Sequence, residues 1–253
     1  MARKPTLSPS KIATYLACPV KYRWTYVDDR GKWYMRARSY YSFGSSLHKV
    51  LQRFHDASDA GVATVGQALA AYEESWIDAG YRSAEEMAEA FGEGKDIIER
   101  YVEEAQVLPA TAKTLWVERM LRKDLGEFAL IGRVDRVDEH EDGSLEIVDY
   151  KSGRAAVDAE DVANDLAMCC YQVLVKARFP DRVVKATILA LRTGSSATAS
   201  LDDEALRAFE ADLIELGREI LSREYEEIVP VYKHLCPDCD FLPLCRKHPE
   251  FSG

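Results

Sequence analysis

The sequence predicts an α/β domain in which a core sheet is flanked by helices and an N-terminal helical lobe precedes it. Three observations predict it. Residues 1–110 carry apolar side chains at helical spacing, residues 111–230 switch to alternating runs bounded by turn residues, and residues 231–253 hold a cysteine cluster. A chain of 253 residues can bury one core of its own, so these three stretches read as parts of a single domain. A hydrophobic content of 47% with 30% charged residues excludes a disordered or collagen-like chain. No window of about 18 apolar residues occurs, and the start lacks the apolar core of a secretory signal. The expectation is a cytoplasmic protein that does not contact membranes and whose six cysteines stay reduced.

Each element has a local reason. Ser8 and Pro9 form a helix start, with a hydroxyl for the cap and proline in the first turn. The stretch 11–27 follows with Tyr15, Tyr22 and Tyr26, and Tyr22 and Tyr26 are expected in the core. Residues 28–42, rich in Arg and Tyr, read as a loop. Gly44 opens a second helix to about Ala57, with Leu47, Val50, Leu51 and Phe54 on one face. Residues 64–107 read as helix, interrupted near Gly80 and again between Gly92 and Gly94. The runs 114–121, 128–139 and 144–150 read as strands, the last two joined by a turn at Asp142 and Gly143. An apolar helix over 158–178 stops before Pro180, and 183–192 is a further strand. Asp202 caps a long helix to about Tyr225, with Leu206, Phe209, Leu213, Leu216 and Ile220 inside.

Charge is unevenly distributed. Residues 1–53 hold eleven Lys or Arg against two acids, whereas the whole chain has net charge −10. Residues 56–106 hold thirteen acids against three bases. A basic N-terminal fifth suits nucleic acid, because phosphate neutralisation is local. In that stretch Trp24, Trp33, Tyr34, Tyr40 and Tyr41 alternate with Arg30, Lys32, Arg36 and Arg38, a pattern suited to base stacking plus phosphate contact. Arg36 and Arg38 are the expected phosphate contacts.

The most informative residues are Asp135, inside one strand, and Asp149 and Lys151, near the end of the next. A hairpin at Gly143 lets the two carboxylates lie side by side, an oxygen-rich pair suited to Mg²⁺ or Mn²⁺. Asp149 and Lys151 share a strand face, which sets an ammonium beside that pair. Such a set suits phosphodiester hydrolysis by a metal-activated water. His48 is a further candidate ligand, with His55 as a rival seven residues on. Glu118 on the first strand ranks below the others.

Asp135 followed by Asp149-Tyr150-Lys151 resembles the PD-(D/E)XK nuclease superfamily, with its restriction-endonuclease-like core. Gly44-Ser45-Ser46-Leu47-His48 and Gly132-Arg133-Val134-Asp135 resemble motifs of its RecB-type branch. The resemblance implies a metal held by His48, Asp135, Asp149 and the main-chain carbonyl of Tyr150, with Lys151 catalytic. It also implies a helix motif Gln-x-x-x-Tyr. Tyr171 fits the tyrosine, but Ala167 stands at the glutamine position unless Gln172 serves in a shifted register.

Cys236, Cys239 and Cys245 form a C-x₂-C-x₅-C clamp, and Cys18 before Pro19 is the candidate fourth ligand. Cys169 and Cys170, adjacent in an apolar helix, read as small buried hydrophobes. Spacing alone fits zinc or a 4Fe–4S cluster. The arrangement resembles the iron–sulfur nucleases, among them CRISPR-associated exonucleases of the Cas-four type, which implies a 4Fe–4S cluster joining the two ends of the chain. No G-x-x-x-x-G-K-[ST] occurs, so a P-loop motor is excluded. The reading is a Mg/Mn-dependent exonuclease on single-stranded DNA or DNA ends, in CRISPR spacer acquisition or in recombination and repair. Its partners would be DNA and an integrase or recombination proteins. The alternative is a catalytically silent nucleic-acid-binding or docking module, with the acidic stretch 56–106 as its contact surface.

Overall fold

The computed structural model describes residues 4–56, 62–107 and 112–251. In chain order the elements are β1 (Thr6–Leu7), α1 (Pro9–Ala17), α2 (Pro19–Tyr22), a π-helical turn (Arg23–Val27), α3 (Gly31–Tyr34), α4 (Ser39–His55), α5 (Val65–Ser75) and α6 (Ala84–Val107). Then come β2 (Ala112–Asp124), β3 (Ala129–His140), β4 (Leu145–Lys151), α7 (Ala159–Asn164), α8 (Leu166–Arg178), β5 (Val184–Ala190) and β6 (Ser195–Ala199). The chain closes with α9 (Asp203–Ser222), a 3₁₀ turn (Tyr225–Glu227) and α10 (Leu242–Cys245). No helix among the described residues is long and apolar enough to cross a membrane.

The chain divides into two compact units. One takes the stretches up to Arg36, from Asp124 to Leu130 and from Glu210 onward; the other runs from Ala37 to Lys123 and from Ile131 to Phe209. In the second unit β3 pairs antiparallel with β4, β4 parallel with β5, and β5 antiparallel with β6, while β2 flanks β3. The parallel β4–β5 step needs a crossover, and α7 and α8 supply it. Both faces of β4 are covered, which is why Ile147 through Tyr150 are all buried, Asp149 included. On one face Val148 and Tyr150 join Phe43, Leu47, Leu51, Tyr72 and Ile98 of the α4–α6 layer. On the other, Leu145 and Ile147 pack with Val134, Val137 and Val175.

In the first unit β1 runs parallel to the opening residues of β3, with Thr6 beside Ala129 and Leu7 beside Leu130. Ser8 caps α1 through its side chain, with Pro9 at the first helical position. Tyr15, Tyr22 and Tyr225 form one aromatic group, and Trp24 and Tyr34 flank Phe241. Tyr22 is buried as expected, whereas Tyr26 stays exposed.

Several boundaries differ from expectation. α4 begins at Ser39, so the expected loop ends earlier and Gly44 lies inside the helix. There a Cβ would come within 2.8 Å of Ser152 Oγ, so the glycine marks a close approach and not a helix start. The expected extension to Ala57 lies outside the described residues. α6 runs unbroken through Gly92 and Gly94, the latter because Tyr72 occupies the space of its missing side chain. The apolar segment 158–178 is two helices, because Asp165 adopts an extended backbone and caps α8 with hydrogen bonds from Ala167 and Met168. The short strands β1 and β6 carry too few residues for a periodic signal.

In α9, a Cβ on Gly217 would overlap the fully buried Phe128 ring, whereas one on Gly92 meets nothing within 4 Å. Gly217→Ala should lower stability by about 1–3 kcal/mol through overpacking. Gly92→Ala should raise it by roughly 0.5–1 kcal/mol through helix propensity. Urea unfolding of the two variants checks both signs.

Candidate active site

The site is built on the middle of β3 and the end of β4. The β3–β4 register ends with Arg136 beside Val148, and Asp135 and Asp149 lie just beyond that last pair. The ladder is replaced at that step: the Tyr150 N–H donates to Asp135 Oδ2 at 2.9 Å. From α4, His48 Nε2 donates to the Tyr150 carbonyl at 2.9 Å. Its Nδ1 then faces Asp135 Oδ2 at 3.6 Å and Glu118 Oε1 at 4.0 Å. Ligand atoms of His48, Glu118 and Asp135 all lie within 4.8 Å of one another, the one such trio among the described residues. Two carboxylates and one imidazole, half-buried, fit Mn²⁺ or Mg²⁺ by their chemistry. Of the four expected ligands the structure brings His48 and Asp135 into this trio. Asp149 stands beside it but faces Lys151, and the Tyr150 carbonyl is taken by His48.

Glu118 enters more centrally than its sequence rank. It sits in β2 with φ +46°, a left-handed conformation rare for a residue with a side chain. Arg133 pairs with it at 2.6 Å. The sequence ranked it below the others, since a left-handed residue within a strand leaves no periodic trace.

Lys151 Nζ lies 2.7 Å from Asp149 Oδ2 and 3.9 Å from Asp165 Oδ2. The first contact is close but poorly aligned for a hydrogen bond, so that buried oxygen is held ionically. Burial pushes the Asp149 carboxyl up to about 6; Lys151 opposes this and Asp135 reinforces it. Glu118 is also raised, first by burial and then by the charge of Asp135. Burial works against a charged His48, but Asp135 and the Tyr150 carbonyl outweigh it and the net direction is upward. Lys151 is raised as well: burial lowers it, and Asp149 and Asp165 more than compensate. The metal-free site thus concentrates negative charge that a divalent cation would neutralise.

Tyr171 on α8 lies against Gly132, where a Cβ would come within 2.8 Å of its ring. Its hydroxyl is raised by burial and by the charges of Asp149 and Asp135, which places it next to the site. Ala167 packs on the apolar cluster of Val162, Met168, Ala186 and Ile188. Gln172, the shifted-register alternative, is 1% exposed and accepts from the Leu201 N–H at 2.9 Å. Asp165, which the sequence left unmarked, is the polar residue that opens α8 toward Lys151. His55, the rival of His48, contacts Arg136 instead.

All four candidate cluster cysteines fall in the first unit. Cys236 and Cys245 are buried. Burial, then Cys18, Cys239 and Cys236, push the Cys245 thiol up to about 12, so the four sulfurs share one neighbourhood. Backbone N–H groups point at two of them, Lys21 to Cys18 Sγ at 3.4 Å and Lys233 to Cys236 Sγ at 3.2 Å. Cys169 and Cys170 are buried in α8, as expected.

Much of the N-terminal positive charge is internally paired. Lys4 meets Asp124, Arg23 and Arg30 meet Asp28, and Lys32 meets Asp29. Arg36, an expected phosphate contact, holds Asp240 at 2.9 Å. The local excess of base in the sequence is therefore smaller in the fold, because acids distant in the chain return to it. The exposed rings Trp33, Tyr40 and Tyr41 remain at the surface.

Residues 6–246 match the model of the PD-(D/E)XK nuclease superfamily, and the chain belongs to that superfamily. Its members are generally nucleases that use divalent metals, which makes nucleic acid the substrate class. No curated protein matches the chain. Among solved structures, the crystal structure of SSO0001 is similar at 12% identity and a TM-score of 0.36, covering 98% of this chain and 89% of that one. A likeness of that size carries no argument here.

A carboxyl raised from about 3.8 to about 6 by burial makes the folded state bind a proton more tightly than the unfolded one. Its stabilising effect is complete below about pH 4 and is lost as pH rises to about 6. In EDTA, the parent should therefore lose on the order of 3 kcal/mol across that window from this group. Asp149→Asn, which mimics the protonated form, should flatten the decline and exceed the parent in melting temperature at pH 7.5. Melting curves of both proteins from pH 4 to 8 test this.

Proposed function

We propose that this chain is a metal-dependent DNA exonuclease acting on single-stranded DNA or DNA ends, in CRISPR spacer acquisition or in recombination and repair. The observation that carries the reading is the trio of His48, Glu118 and Asp135 beside the Asp149–Lys151 pair. A divalent cation, when bound, supplies Lewis acidity to the scissile phosphate and lowers the pKa of a water. His48, Asp135 and Glu118 are the donors that would hold it, with Asp149 and the Tyr150 carbonyl at its border.

The chain's own residues do the rest. Asp149 and Asp165 keep the Lys151 ammonium charged and aimed into the cleft. There it stabilises the charge that develops on the phosphoryl oxygens. Asp135 anchors the Tyr150 amide and so ties β3 to β4 at the point of reaction. Arg133 screens Glu118 from its carboxylate neighbour. The Tyr171 hydroxyl closes the α8 side. Exposed Tyr40 and Tyr41, whose rings lie 4.4 Å apart, offer a stacking surface for unpaired bases.

We read Cys18, Cys236, Cys239 and Cys245 as the ligands of a structural 4Fe–4S cluster. The two backbone N–H groups aimed at sulfur favour thiolates.

Lys151→Ala should cut the turnover of labelled single-stranded DNA with Mn²⁺ by about 10²-fold or more, while Mn²⁺ binding is spared. EDTA should abolish turnover. Parent-rate digestion by Lys151→Ala, or activity that persists in EDTA, would remove the reading and favour a silent binding module. Anaerobically purified protein should be brown, and Cys236→Ala should lose the visible absorbance that Cys169→Ala retains. A colourless parent holding one zinc would exclude the cluster.

A further inference from the structure

Directly behind the site, on the opposite face of β3 and β4, lies a second polar group that the proposed chemistry does not use. Arg136 pairs with Val148 in the β3–β4 register and so lies on the face that Val148 shares with Tyr150, the one opposite Asp149 and Lys151. Its Nη1 donates to His55 Nε2 at 2.6 Å, to the Tyr101 hydroxyl at 2.8 Å and to the Tyr150 hydroxyl at 2.7 Å. Its Nε lies 2.9 Å from Asp138 Oδ2. Tyr101 and Tyr150 also touch each other, oxygen to oxygen at 3.2 Å. Burial and the adjacent guanidinium push His55 down to about 3, so it stays neutral and accepts.

A buried ion pair is a weak source of stability, because desolvation offsets much of the attraction. Apolar side chains of similar volume would serve this layer at least as well. Arg136, His55 and Tyr101 also line a cleft of about 210 Å³, so hydrogen bonds and not close packing hold them in place. What they hold is Tyr150. Its amide donates to Asp135 and its carbonyl accepts from His48, so the peptide of Tyr150 is bonded to two members of the metal trio. Its hydroxyl is held in the Arg136 network. His48 and His55, two turns apart on α4, therefore grip the same residue, one at its carbonyl and the other through Arg136 at its ring.

We infer that Arg136, with His55 and Tyr101, is a positioning group that fixes the Tyr150 ring and thereby the orientation of Asp135 and His48 at the metal trio. The inference rests on the nuclease reading for its kinetic consequences and on the fold alone for its metal-free ones. Tyr150 is the coupling residue because its backbone belongs to the site and its side chain to the network.

The test uses Tyr150→Phe, which removes one hydroxyl and leaves the ring. In metal-free protein, the residue 150 amide should exchange its hydrogen at least ~5-fold faster than in the parent, with the melting temperature little changed. The Mn²⁺ dissociation constant from calorimetry should rise by about 5-fold or more. On single-stranded DNA, kcat should fall by about 10-fold with KM within about 2-fold. Tyr101→Phe, which removes a network hydroxyl on α6, should move all readouts the same way by a smaller factor. It also keeps the test open if Tyr150→Phe does not fold. Arg136→Lys added to Tyr150→Phe should have less effect on Mn²⁺ affinity than Arg136→Lys alone. The inference is overturned if amide exchange and Mn²⁺ affinity match the parent in every variant that folds, or if the two substitutions are additive. A parent that binds Mn²⁺ but cuts no DNA would defeat the nuclease reading and leave the exchange and affinity results to decide this one.

Discussion

The Tyr150 peptide is held at both of its polar atoms, and the arrangement of the site depends on that. Its N–H leaves the sheet ladder to meet Asp135, and its carbonyl leaves it to meet His48. A strand end normally shows unpaired backbone groups to water or to the next strand. Here they bind side chains, so the geometry of the sheet is passed directly to the carboxylate and the imidazole. The antiparallel β3–β4 register brings Asp135 and Asp149 to adjacent strands just beyond its last pair, and the parallel β4–β5 register supports β4 along its whole length. The site is therefore built on rigid elements from three strands and one helix.

Electrostatics follow from that placement. Asp135, Glu118 and Asp149 stand close together with burial raising Glu118 and Asp149, and the cations Arg133 and Lys151 at the rim only partly offset them. An uncompensated cluster of this kind is unfavourable for folding and is the usual signature of a site that gains a charged ligand. The left-handed Glu118 in β2 is a second unfavourable feature at the same place. Members of the PD-(D/E)XK nuclease superfamily generally use divalent metals, and a divalent cation held here would relieve the charge.

The two units place different chemistry in different packing. The second unit holds the carboxylate trio between a helical layer and α8. The first unit collects the early and late parts of the chain around aromatic contacts of Tyr22 with Tyr225 and of Trp24 with Phe241. Cys18 and the three late cysteines come together there, a closure that spans over 200 residues of sequence. Arg36 with Asp240 and Arg23 with the Tyr225 carbonyl add to the same closure.

By itself the sequence indicated the α/β class and the β3–β4 hairpin and marked Asp135, Asp149 and Lys151 as one candidate site, to which a family resemblance added His48. Those are local facts: a turn at Gly143, a two-residue period, and side chains whose chemistry is readable at fixed spacing. Tertiary structure alone decided the rest. Glu118 joined the trio because β2 kinks beside β3. Asp165 took the start of α8 because its extended backbone splits an apolar run that looks continuous. Arg36 met Asp240, a partner 204 residues away in the chain. His55 was separated from His48 because two turns of helix carry it past the strand end to Arg136. Except for the local cap of Asp165, the deciding contact joins residues distant in the chain, and periodicity carries no information about which distant partner arrives.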